Sequence, residues 1–397
     1  SIFPGQAVGS TGIAGTPLAM PIMFFFMGIS ALAGQGGNAL AAIQLGEGKL
    51  KSVERILGNT LTLLISFGVL IAIAGFLFMD PILALIGTTA ELYEPTRTFV
   101  GIISTGFILQ CVGMGMNNFL RTAGKPNLAL FTGVLGTVVC IALNYLFVMV
   151  LGYGVAGSAL ATIIGQGVGM APVIWYFSVV KSAPFRLHVH NMIPAFRLQL
   201  KILSLGVASF VMQFATAVLN VILNQMLVRY GALDPVGASG ALSAIGVAGK
   251  VNSFAIMPVI GVTMGAQALI GFNYGAQLWK RVRDTFWRAV IFAESITIFF
   301  FVLVHVIPVP IVNLFGVTGD LETFTVFALQ AMTLAFPIVG FQLVGSSYFQ
   351  SSGQPLKAAL LGLSRQVLFL IPLLFLMPVF LPQIAPVTAL ESICFTY

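Results

Sequence analysis

The feature that most constrains this chain is a series of unbroken apolar runs, each long enough to cross a ~30 Å hydrocarbon layer as an α-helix. Ten can be read, at 13 to 40, 56 to 79, 98 to 120, 128 to 151, 158 to 180, 203 to 228, 238 to 271, 287 to 309, 323 to 348 and 357 to 381. Short loops carrying charges or Pro and Gly separate them. With 58% hydrophobic and 7% charged residues and a mean hydropathy of +1.03, the chain has too little polar surface to cover a soluble globule. Outer-membrane strands would alternate apolar and polar residues over short segments, which these runs do not. An all-α polytopic protein of a cell (inner) membrane is expected.

The net charge of +7 raises the question of nucleic acid, and the placement of the charges answers it. Lys49, Lys51, Arg55, Arg121, Lys125, Lys181, Arg186, Arg197, Lys201, Lys280, Arg281, Arg283, Arg288 and Lys357 fall in loops of one side, and only Arg97 and Arg229 in loops of the other. Most acids (Asp80, Glu91, Glu94, Asp234, Asp320, Glu322) lie opposite the basic loops. The positive-inside rule makes the basic side cytoplasmic, so the charge is a topology signal and no nucleic-acid partner is expected. Cys111, Cys140 and Cys394 sit in apolar segments without metal-ligand spacing and read as small core residues.

An offset of 229 positions superposes the two halves without gaps. It places Asn38, Ala39, Leu40 and Gly46 on Gln267, Ala268, Leu269 and Gly275, and Gly124 and Pro126 on Gly353 and Pro355. Basic loops map onto basic loops, so the units share one orientation, are related by an axis along the membrane normal, and each hold an even number of helices. The same offset puts the counterpart of 203 to 228 upstream of Ser1 and that of 158 to 180 at 387 to 409, beyond Tyr397. The expected architecture is two six-helix lobes, with the first helix absent from this chain and the last truncated. Their boundaries are an N-terminal lobe 1–180, a cytoplasmic linker 181–202 and a C-terminal lobe 203–397. The linker has two open readings, an inter-lobe hinge or a solvated connector held at lipid phosphates.

Several segments, in order, carry a family resemblance: LGEGKLKSVERIL (Leu45 to Leu57), FLRTAGKP (Phe119 to Pro126), LNYLFVMVLGYGVAGSALAT (Leu143 to Thr162), MPVIGVTMGAQALIGFNYGA (Met257 to Ala276), YFQSSGQP (Tyr348 to Pro355) and SRQVLFLIPLLFLMP (Ser364 to Pro378). Together they cover nearly the whole chain and resemble the multidrug and toxic compound extrusion (MATE) family. The resemblance implies two lobes around a cavity that opens alternately to each side, exporting amphiphilic, often cationic compounds in exchange for H⁺ or Na⁺. It also implies a small-molecule substrate, a lipid-bilayer setting, no cofactor beyond the coupling ion, and function as a monomer. The family often has an acid in the fifth helix where this chain has Asn144, and another directly before the Ser-Ile-Phe that begins here. Asn144 is therefore a candidate coupling position that departs from the family pattern.

Ionisable side chains at mid-bilayer cost ~2.5–3.5 kcal/mol each on insertion scales, so those present should face a cavity or a partner. Lys250, Glu294 and Arg365 lie well inside predicted helices. Glu294 and Arg365 are placed to pair as a structural or gating ion pair, with Glu294 the acid positioned to take up a proton or Na⁺. The alternative is that Glu294 snorkels to the headgroups. Gln213, Asn220 and Asn224, spaced by seven and four, share a helix face expected to line the cavity with Lys250, Asn252 and Gln366. Interhelical hydrogen bonding by the same amides is the competing reading. Pro258, Pro337 and Pro372 mark positions where helices either bend or are held straight by neighbours.

Other motifs point nowhere else. Gly152, Gly154 and Gly157 match GxGxxG but lie in a turn with no preceding strand. Gly46 to Lys49 lacks phosphate-loop spacing. His188 and His190 have no Cys or carboxylate nearby in the sequence, so no metal is expected. No nucleophile, base and orienting group combine, so an enzyme is not expected. An antiporter leads, with a lipid-linked glycan flippase of the same superfamily second and a channel or membrane receptor third.

Overall fold

The computed structural model describes residues 20–81, 90–232, 237–315, 320–384 and 388–394. They form α1 (Met20–Gly46), α2 (Leu50–Leu77), α3 (Ala90–Thr122), α4 (Pro126–Asn144, continued as a π-helix by Tyr145–Val150), α5 (Gly154–Val179), α6 (Phe196–Gly231), α7 (Gly237–Gly275) and α8 (Trp279–Val306). There follow the short α9 (Pro308–Asn313), α10 (Asp320–Thr333), α11 (Phe336–Ser351), α12 (Pro355–Leu363, continued as a π-helix by Ser364–Leu370), α13 (Ile371–Ile384) and α14 (Ala389–Cys394). Among the described residues, 8 helices are long and apolar enough to span a membrane, and α10 with α11 forms a ninth span bent by 44°. The remaining expected crossing corresponds to α1, although its residues 13 to 19 lie outside the described segments, as does Asp234.

One expected span is thus corrected: 323 to 348 is not a continuous helix. The chain breaks at Leu334–Ala335, and Pro337 stands in the first turn of α11. Proline lacks an N–H and its ring clashes with the carbonyl four residues back, so a helix ends ahead of it. Pro258, by contrast, lies inside the uninterrupted α7.

The internal repeat reappears in backbone detail. Gly48 has φ 74° and its counterpart at an offset of 229, Gln277, has φ 58°, although Gln277 is not a glycine. Lys49 and Leu278, which begin the next helices, have φ/ψ of −88°/63° and −88°/65°. Gly124 and Gly353 match likewise, at φ 74° and 75°. A side chain in this left-handed region costs roughly 1–2 kcal/mol, so the shared turn is enforced in the second unit without the residue that would favour it.

The chain divides into two compact units, Ser1–Gln213 with Gly271–Gln277 and Phe214–Ile270 with Leu278–Tyr397. Residues 181–213 and 271–277 therefore belong to the first unit, where the sequence drew its boundary at 181 to 202. Glycines explain the assignment. A Cβ on Gly36 would overlap the Ile202 carbonyl oxygen, and one on Gly206 the Leu32 carbonyl oxygen, so α1 and the start of α6 meet backbone to backbone. Likewise a Cβ on Gly46 would strike the Phe272 carbonyl oxygen and one on Gly275 the Ile43 carbonyl oxygen. These residues are repeat equivalents, so the crossing of α1 and the end of α7 is itself two-fold. Small residues at such crossings are how membrane helices gain dispersion contact where lipid supplies no hydrophobic drive.

Elsewhere the first unit packs Ile56, Leu57 and Leu64 of α2 against Phe107, Met116 and Phe119 of α3. The core of the second joins Leu223 and Leu227 of α6, Ala244 and Ala248 of α7, Leu329 and Met332 of α10 and Leu374 of α13.

Residues 181–202 do not hang free. The fully buried Asn59 of α2 donates from Nδ2 to the Arg55 and Asn191 carbonyls (3.0 and 3.1 Å), and its Oδ1 accepts the Ala195 N–H (2.8 Å). Thr62 donates to the Met192 carbonyl (2.8 Å), and Glu54 accepts the Arg186 N–H (3.1 Å). Phe185 is buried and stacks on Phe177 at 5.5 Å. The segment is a strap clipped to α2. Replacing Asn59 with Ala removes the partners of Asn191 and Ala195, at about 1–3 kcal/mol for each group left unsatisfied. N59A is expected to lower Tm and to speed tryptic cleavage at Lys181, Arg186 and Arg197, read by gel after limited digestion.

Candidate functional site

In the second unit, Glu294 lies near the middle of the 28-residue α8, half-buried. The hydrogen bonds seen at its carboxylate come from groups other than Arg365. Instead Oε1 accepts the backbone N–H of Phe341, and Oε2 accepts the Thr297 hydroxyl at 3.1 Å. Phe341 belongs to the turn of α11 that follows Pro337. Gly340 makes the approach possible, because a Cβ there would lie 3.0 Å from the Glu294 nitrogen and 3.1 Å from its Cδ. The carboxylate is thus fastened to the second turn of α11.

Helix positions in the sequence do not reveal this partner: it is a backbone N–H of α11 brought close by Gly340. Arg365 is half-buried in the π-helical segment Ser364–Leu370. Single π-turns recur at functional sites because the extra residue re-aims its neighbours.

The neighbouring Gln366 is buried and donates from Nε2 to Thr216 Oγ1 (2.8 Å). The Thr216 carbonyl in turn accepts from Asn220 Nδ2 (2.8 Å). Two of the expected lining residues, Asn220 and Gln366, are therefore joined through a residue that sequence reasoning passed over. Its only signal was a position one turn before Asn220. Asn252 is buried, whereas Asn224 and Lys250 are exposed. Gln213 belongs to the first unit, half-buried, with its Cβ 3.3 Å from where a side chain on Gly28 would begin. Asn144 donates to the Cys140 carbonyl (3.0 Å) at the start of the π-helix Tyr145–Val150.

Among the described residues, Gln366 Oε1, Asn252 Oδ1 and Gln342 Oε1 are buried acceptors without a hydrogen-bond donor. Each such group costs ~1–3 kcal/mol if left unsatisfied, so these oxygens are fitted to receive donors from elsewhere. These three belong to the second unit, as does Glu294, while the first unit holds, among the described residues, unpartnered buried hydroxyl oxygens on Thr60, Ser104 and Tyr176.

Two sequence-related helical bundles, with buried amides, a mid-span carboxylate and a broken helix, define a repeat-built polytopic membrane transporter. The chain belongs to the MatE family, whose model matches residues 1–146 and 208–376. It is 25% identical over 313 residues to the probable multidrug resistance protein YoeA of Bacillus subtilis, covering 76% of this chain and 66% of that protein. It is 21% identical over 378 residues to the multidrug export protein MepA of Staphylococcus saprophyticus, covering 94% and 81%. The fold matches the solved MATE multidrug transporter DinF-BH with a TM-score of 0.88 at 28% identity, over 100% of this chain and 86% of that one.

Proposed function

We propose that this protein is a secondary active antiporter that exports amphiphilic, cationic small molecules in exchange for H⁺ or Na⁺ by alternating access. The observation that carries the reading is the set of buried amide oxygens on Gln366 and Asn252 within a MatE-family fold. Acceptor oxygens suit ammonium and other cationic donors, and relatives named for multidrug export and resistance support the substrate class. The basic residues of 181–202 support a cytoplasmic position for that segment at a cell membrane. Glu294 is assigned to ion coupling. Its carboxylate lies mid-span and accepts the Phe341 N–H of α11, so a proton or Na⁺ taken up there arrives at the contact between α8 and α11. Arg365 and Asn144, each in or beside a π-helical turn, are assigned to gating, and the protein is taken to work as a monomer.

The test is efflux from proteoliposomes. A fluorescent cationic dye is followed under an imposed pH gradient and then under an imposed Na⁺ gradient. Dye movement that requires one of the gradients is expected and identifies the ion. Absence of movement under both would overturn the antiporter reading and make lipid-linked substrates the next candidates.

A further inference from the structure

We propose that the strap of residues 181–202 is a docking site for anionic phospholipid at the membrane surface. The inference is independent of what the protein exports. It rests on four observations. First, the strap is immobilised at a defined height: Asn59 and Thr62 hold it where the apolar run of α2, from Ile56 onward, begins. Gly58 allows it to press there, since a Cβ on that residue would overlap the Asn191 carbonyl. The strap therefore lies level with the entry of α2 into hydrocarbon, and Phe185, buried against Phe177, pins its near end.

Second, the strap exposes large apolar side chains. Val189, Ile193 and Phe196 are 84%, 61% and 74% exposed. Three large hydrophobic side chains held out at this height have acyl chains and headgroup glycerols beside them, the boundary at which amphipathic segments settle.

Third, the charge is of one sign. Residues 181–202 include Lys181, Arg186, Arg197 and Lys201 and no acid. A carboxylate that reaches the strap, Glu54 of α2, is engaged by the Arg186 N–H and faces His188 at 3.9 Å. Clusters of Lys and Arg at the cytoplasmic surface attract anionic headgroups, and that attraction fades beyond a Debye length of ~8 Å, so it acts on lipids in immediate contact. Fourth, the strap is rigid before it meets lipid, so little ordering is required when it does. An apolar face ringed by basic residues also fits a soluble acidic protein, but its height at the hydrocarbon edge favours lipid.

The experiment uses the full chain, purified in an uncharged detergent. Phosphatidylglycerol or phosphatidylcholine is titrated in, and Tm is read together with the amount of each lipid that survives into native mass spectra. The expected result is a larger Tm increment and more retained lipid with phosphatidylglycerol than with phosphatidylcholine. The excess should be mostly lost in R186Q/R197Q/K201Q and in V189S/I193S/F196S, and kept in K280Q/R281Q/R283Q, whose charges lie at the start of α8. All these side chains are exposed except that of Arg186, which is half-buried, and the Tm of each variant before lipid reports whether it has folded. Equal increments from the two lipids, or an undiminished excess in the strap variants, would overturn the proposal. So would an equal increment from water-soluble glycerophosphoglycerol, which would assign the site to a free phosphate ester.

Discussion

The Glu294→Gln protein is expected to fold, reach the membrane at its normal level and lose gradient-driven export. Glutamine has nearly the volume of glutamate; its one amide oxygen can accept the Phe341 N–H in place of Oε1, and its Nε2 can donate to Thr297 Oγ1, whose hydroxyl keeps the backbone carbonyl of residue 294 as acceptor. What it lacks is the charge and the capacity to exchange a cation. If Glu294 couples ion entry to export, efflux under either gradient falls to the leak rate, a loss of at least about tenfold, or ~1.4 kcal/mol. If the carboxylate only fastens α11 against α8, Gln preserves the fastening and export continues at the native rate. Undiminished coupled transport in this variant therefore ends the coupling assignment. Glu294→Ala separates the two roles further. It removes both hydrogen bonds as well as the charge, so its Tm should fall while that of Glu294→Gln holds.

The second large effect lies where helices touch backbone to backbone. Gly206→Ala puts a Cβ into the Leu32 carbonyl, and Gly36→Ala puts one into the Ile202 carbonyl. Neither neighbour is the end of a flexible side chain, so α1 and α6 would have to separate along this crossing. Overpacking of this kind costs typically ~1–3 kcal/mol and more when backbone must move. Both variants are expected to show sharply reduced yield and a much lower Tm in detergent. The repeat supplies the control. Gly265 stands at the position of Gly36 in the second unit, yet among the described residues nothing lies within 4 Å of its Cβ position. Gly265→Ala is expected to leave Tm unchanged or slightly raised, since Ala is about 1 kcal/mol better than Gly within a helix. A comparable loss in Gly36→Ala and Gly265→Ala would mean that helix flexibility, not contact, makes these glycines necessary.

Much of the architecture was legible in the residues because membrane spans announce themselves. A run such as Leu61 to Leu77 has no soluble alternative, and its length is set by the bilayer. The repeat was equally legible, since one offset relates Gly46 to Gly275 and Gly124 to Gly353. The candidate site was legible only as a list of residue types. Asn220 and Gln366 were named, but Thr216, which joins them, is an ordinary residue in an apolar helix. Glu294 was named, but the Phe341 N–H that its carboxylate accepts was not, because pairing was sought among side chains of opposite charge. A backbone N–H is common to every residue but proline, so nothing local marks which one will approach.

The sequence alone therefore determined that the chain is a polytopic helical protein, where most of its spans run, and that it is built twice over in one orientation. Those properties follow from hydrocarbon exclusion of backbone polar groups and from periodicity, both of which act locally along the chain. Only the tertiary structure decided that α10 and α11 are separate helices, that Glu294 is held by Phe341, that Gly36 is crowded while its counterpart Gly265 is open, and that residues 181–202 are strapped to Asn59. Each depends on which groups from distant positions approach within hydrogen-bonding or van der Waals range. Such contacts reach across 47 residues for Glu294 and Phe341 and 136 for Asn59 and Ala195, and no local pattern encodes them.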